Sequence, residues 1–142
     1  MRTLIIMFFL GLSVPTFAQT GKLFKGTLNN SVKITLYLQG LEEGTNADRV
    51  VGAYKYNDQK GYLLLNGYRN EKGDIILVEQ ATPNFSGVFF GSLSGNQILG
   101  RWSSADQKIS YRFKLYGITT THEQQQQFQD AVASKAQEFG SY

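Results

Sequence analysis

Pairs of an aromatic residue and a glycine, two positions apart, recur through the middle of this chain. They are Phe24-x-Gly26, Gly52-x-Tyr54-x-Tyr56, Gly87-x-Phe89-x-Gly91 and Gly100-x-Trp102. Spacing two puts both members of a pair on one face of a β-strand. Glycine weakens a strand interior unless a second backbone or a large ring must come close there. The pattern therefore predicts a strongly curved antiparallel sheet with rings packed over gaps in the backbone. It constrains the fold and names no reaction.

Between Lys22 and Gly117 short apolar runs are separated by turn residues. This predicts strands at about 22–28, 32–38, 50–56, 62–68, 75–80, 87–93, 97–102 and 109–116. Asn29-Asn30-Ser31, 57–61, 70–74, Ser94-Gly95-Asn96 and 104–108 supply Asn, Asp and Gly, which tolerate the positive φ of tight hairpins. One connection is longer, the polar 39–49 segment with Glu42, Glu43, Gly44 and Asn46; it reads as a solvated connector. The fold class that follows is all-β: an eight-stranded antiparallel meander closing into a small barrel, with one C-terminal α-helix packed outside.

Alternation sets the faces. The second strand offers Val32, Ile34, Leu36 and Leu38 against Lys33, Thr35 and Tyr37, and the eighth offers Ile109, Tyr111, Phe113 and Leu115 against Ser110, Arg112 and Lys114. In the same phase the interior takes Phe24, Leu28, Tyr54, Tyr56, Leu63, Leu65, Ile75, Leu77, Phe89, Leu93, Ile98 and Trp102. A barrel of eight strands is either filled by such side chains or holds one small ligand. The bulk of these residues favours filling, whereas the inward Gly26, Gly52, Gly67, Gly91 and Gly100 leave room or allow bends. Strands four to six also carry apolar residues outward: Tyr62, Leu64, Tyr68, Ile76, Val78, Val88 and Phe90. A patch of that size calls for a cover. The C-terminal segment is the expected one, a helix over 122–139 opened by a Thr120/Glu123 capping box, with Phe128, Val132, Ala136 and Phe139 on one stripe. Otherwise those strands meet a partner protein.

The first residues read as a secretory leader, 1–18: Arg2, an apolar run from Leu4 to Leu12, and a small-residue exit at Ala18. The barrel domain is then 19–117, and 118–142 is the helix and tail. No cysteine follows the exit, so neither a disulfide nor a lipid-anchored cysteine is available. Removing Arg2 lowers the formal charge from +3 to +2. Basic and acidic residues are interleaved along the chain, which argues against nucleic-acid binding. With apolar residues turned inward and lysine, threonine, arginine and serine turned outward, a transmembrane barrel is not expected, nor any membrane span after cleavage. An exported, periplasmic or secreted location is.

Chemistry-bearing residues are sparse. The single histidine, His122, falls at the helix start without an orienting partner. Zinc spacing, a phosphate loop and a dinucleotide fingerprint are missing, and Glu42, Glu43 and Asp48 lack the spacing of a calcium loop. No catalytic residue, metal or cofactor is expected. One acid, Glu79, falls on the inward phase of a strand, at the barrel mouth. A carboxylate there needs hydrogen bonds, and Tyr54, Tyr56 and Tyr111 are placed to give them. Glu79 is then either a structural tie or a polar handle for a small ligand walled by Tyr56 and Trp102.

The F-x-G, G-x-Y-x-Y, L-x-G and G-x-W signatures at Phe24/Gly26, Gly52/Tyr54/Tyr56, Leu65/Gly67 and Gly100/Trp102 resemble those of small exported bacterial β-domains of uncharacterised function. The eight-stranded meander with a Gly-x-Trp is also similar to lipocalins and avidin-like proteins, which carry that motif on their first strand; here it lies on the seventh. The resemblance brings no catalytic residue. It is consistent with a non-enzymatic exported barrel that binds a small apolar molecule, a glycan or an envelope protein. The alternative is a solid-core structural or protein-interaction module with no small-molecule ligand.

Overall fold

The computed structural model describes residues 21–41, 48–81 and 84–140. Along the chain run β1 (Lys22–Leu28), β2 (Val32–Gln39), β3 (Asp48–Tyr56), β4 (Leu63–Arg69), β5 (Asp74–Ala81), β6 (Asn84–Ser94), β7 (Gln97–Ser104), β8 (Ser110–Ile118) and α1 (His122–Phe139). Each strand pairs antiparallel with the next, and β8 pairs with β1, so the sheet is a closed barrel. The leader expected over 1–18 and the acidic residues Glu42 and Glu43 lie outside the described residues. Asn29 and Asn30 adopt φ of 54° and 59° in the β1–β2 turn, the left-handed conformation that asparagine tolerates.

The inward phase is the core. Phe24, Ile34, Leu36, Tyr54, Leu65, Leu77, Phe89, Ile98, Phe113 and Leu115 are buried in one cluster, with Tyr56, Leu63, Leu93, Trp102 and Tyr111 packed at its margins. Between Leu36, Leu77, Phe89 and Phe113 the cavity measures about 10 Å³, no more than a single water requires. The inward glycines do not add room. A Cβ on Gly26, Gly67 or Gly100 would strike a backbone carbonyl of the adjacent strand, from Lys114, Ile76 or Phe90; these positions serve the close approach of strands in a tight barrel. Ile109, which precedes β8, and Val32, the first residue of β2, were expected inside and are exposed. At the barrel rim the chain is turning, and the alternation of a strand no longer dictates direction.

The cover lies elsewhere than expected. Leu23, Tyr37, Ala53 and Leu64 are register partners across β1, β2, β3 and β4, and Ile118 continues the row on β8. On this outward row α1 packs Phe128 and Val132. The Phe128 ring lies 5.7 Å from that of Tyr37 and 5.2 Å from that of Tyr62. Phe139 packs at the edge of this second cluster, and Ala136 is exposed. The helix spans the expected residues, but its cap lies one residue later than expected: Thr121 accepts from the Gln124 N–H while Gln124 accepts from the Thr121 N–H, and Thr120 accepts instead from the Gln125 side chain. Of the apolar residues outside strands four to six, α1 reaches Tyr62 and Leu64 and leaves Tyr68, Ile76 and Phe90 uncovered.

Candidate functional site

The five residues singled out in the sequence do come together, at the end of the barrel where β3, β5 and β7 finish and β8 begins. Glu79 is 4 % exposed. Its Oε2 accepts from the Tyr54 hydroxyl and, at 3.0 Å, from the Trp102 indole N–H. Its Oε1 accepts from the Ser86 hydroxyl at 2.6 Å. Burial pushes the Tyr54 phenol far above its ordinary range, and the neighbouring Glu79 carboxyl pushes the same way, so Tyr54 stays a donor. Tyr56 meets the Tyr54 ring edge-on at 5.7 Å, and Tyr111 stacks on Trp102 at 5.8 Å with 13° between the planes. The indole rests against Gly87, where a Cβ would collide with it.

Both Glu79 oxygens are thus engaged by the chain itself, and the carboxyl group ties β5 to β3, β6 and β7. The arrangement is a hydrogen-bonded plug with half-buried Tyr56, Trp102 and Tyr111 around it. Tyr56 and Tyr111, expected as donors to Glu79, meet the cluster through their rings, and Trp102, expected as a wall, donates instead, as does Ser86, which was not expected. Its neighbour Gly87 points inward, so strict alternation turns Ser86 outward. A register shift between Glu79 and Gln80 makes Ser86 the extra residue of a bulge, and bulges re-aim side chains. Among the described residues no group of His, Cys, Asp or Glu is arranged to hold a metal ion.

The second feature is on the outside. Tyr68, Ile76, Phe90 and Arg101 are register partners across β4, β5, β6 and β7, and Arg112 of β8 follows. Tyr68 and Phe90 are each 56 % exposed, and Leu99 lies exposed beside them. Together they line a shallow groove of about 610 Å³ with Asp74 and Ser92 on one flank and Arg101 on the other. Next to this stripe the barrel is basic. The outward positions of β7, β8, β1, β2 and β3 carry Arg101, Arg112, Lys114, Lys25, Lys33, Arg49 and Lys55 and no acid. Charges interleaved along the chain are segregated by the fold.

Compared with protein-family models, with curated proteins and with solved structures, the chain matches none. Among the described residues no helix is long and apolar enough to cross a membrane.

Proposed function

We propose that this protein is a non-enzymatic binding module that works through the outside of its barrel. The observation that carries the reading is the contrast between a filled interior, with about 10 Å³ left among the core side chains, and an uncovered stripe of Tyr68, Ile76, Phe90 and Leu99. Exposed aromatic and arginine side chains in one patch suit a protein interface. Arg101 and Arg112 at its border favour a partner with an apolar face flanked by carboxylates. An exported location, expected from residues 1–18, makes that partner an envelope or secreted protein.

The reading is tested with a photo-crosslinking amino acid at Phe90, in cells that natively make the protein, and with the same group at exposed Lys33 on the opposite side. A discrete crosslinked protein at Phe90, absent at Lys33 and lost when Ile76→Asp is added, supports it. No product at Phe90, or equal products at both positions, rejects it. A product of twice the chain's own mass assigns the stripe to self-association instead.

A further inference from the structure

One pocket belongs to neither feature above. It lies between α1 and the outside of β1–β3, measures about 310 Å³, and is lined on its polar side by Lys25, Thr35, Lys55, Asn57, Gln124 and Gln127. Its floor is set by register: Lys25 pairs with Thr35, and Thr35 pairs with Lys55. The two lysines therefore stand on alternate strands, about 9–10 Å apart at the backbone, over a buried threonine. Among the described residues no carboxylate lines the pocket.

The amide side chains are oriented by bonds already made. The Thr35 hydroxyl donates to the Asn57 carbonyl oxygen at 2.7 Å, which leaves the Asn57 N–H₂ group to donate. The Gln124 carbonyl oxygen accepts from the Thr121 N–H at 3.2 Å, which leaves its N–H₂ group likewise. The Lys55 ammonium sits 5.6 Å from the centre of the Tyr62 ring, another wall of the same pocket. The pocket thus offers two cations and the N–H₂ groups of Asn57 and Gln124, whose carbonyl oxygens each already accept one hydrogen bond. A ligand that satisfies these groups must bring acceptors and negative charge. Tyr62 and Phe128 add an apolar wall on which a small ring can rest.

The geometry points to a binding site for a small organic anion of about monosaccharide size, held by its carboxylate, sulfate or phosphate between Lys25 and Lys55. The volume is at the lower end of the range of small-molecule sites. The site is independent of the stripe on β4–β7.

The test is a titration of the purified protein, followed by amide chemical shifts and calorimetry, with glucuronate, glucose 6-phosphate, inorganic phosphate and neutral glucose as probes. The expected result is binding of at least one anion at millimolar concentration, with shifts centred on Thr35, Asn57 and Gln124 and weakening with added salt. Lys25→Ala and Lys55→Ala each raise the dissociation constant about tenfold, while Lys33→Ala, outside the pocket, leaves it unchanged. Preference for glucuronate assigns a carboxylate ligand, and preference for the phosphates a phosphoryl one. No response to any anion, equal binding of glucose, or binding that ignores both lysine substitutions overturns the proposal. Shifts that map to another part of the barrel do the same.

Discussion

Truncating Phe128 to alanine tests how the helix is held. The ring is 5 % exposed and touches both Tyr37 and Tyr62. Deleting a buried phenylalanine costs about 3–5 kcal/mol. The flank of α1 is open to solvent and can partly close over the gap, so the expected loss is at the lower bound, about 3 kcal/mol. The barrel can survive without its helix, because its own core lies on the opposite side of the sheet. The loss should therefore appear first as local opening. Hydrogen exchange is the assay. Amides of α1 should exchange about a hundredfold faster, since each 1.4 kcal/mol is tenfold, while Leu36, Leu77 and Ile98 keep their protection. Ala136→Ser, on the exposed side, should change stability by no more than about 0.5 kcal/mol. Unchanged exchange in α1 refutes the docking. So does a larger effect from Phe90→Ala, which would put the helix over β4–β6.

Three further outcomes follow from the Glu79 plug. Glu79→Gln places an amide N–H₂ against donors from Tyr54, Ser86 and Trp102; stranding one of them should lower stability by about 1–3 kcal/mol in urea unfolding and shift Trp102 emission to the red, and an unchanged midpoint speaks against the tie. Tyr54 holds its proton in the fold well above the ordinary value of 10.0, so its contribution is complete below that pH and declines above it, by up to about 1.4 kcal/mol per pH unit; Tyr54→Phe should flatten this alkaline decline, and identical profiles for the two proteins contradict it. Trp102, the single tryptophan, should keep its emission in titrations with apolar ligands, and a saturable change with one of them would restore the barrel mouth as a ligand site.

Much of the architecture was legible because it is local. Turn residues at Asn29-Asn30 and Gly95, the period-two strands and the helix over 122–139 all follow from short stretches of chain. The site residues Tyr54, Tyr56, Glu79, Trp102 and Tyr111 were legible for the same reason, since inward phase alone collects them. The place where α1 lands was not. It depends on which outward residues share a row, and rows are set by register and shear between strands. Leu23, Tyr37 and Ala53 look unremarkable one strand at a time; only pairing lines them up. Topology then decides the rest: β8 closes on β1, so the chain leaving Ile118 starts beside β1, and α1 runs from there across the outside of β1–β4. Ser86 was hidden by its bulge, and the basic surface by the interleaving of charges that the barrel later sorts by face. The capping box moved by one residue because Thr120 and Thr121 both have a suitable partner three positions on, and only the helix geometry chooses between them.

The most direct test is native mass spectrometry of the protein isolated gently from cells that make it, beside its Phe90→Asp variant. A barrel that binds by its outer stripe should carry a protein partner, lose it in the variant, and hold no apolar small molecule in its interior. A stoichiometric apolar ligand retained equally by both forms would contradict this, because it would require space that Leu36, Leu77, Phe89 and Phe113 now fill.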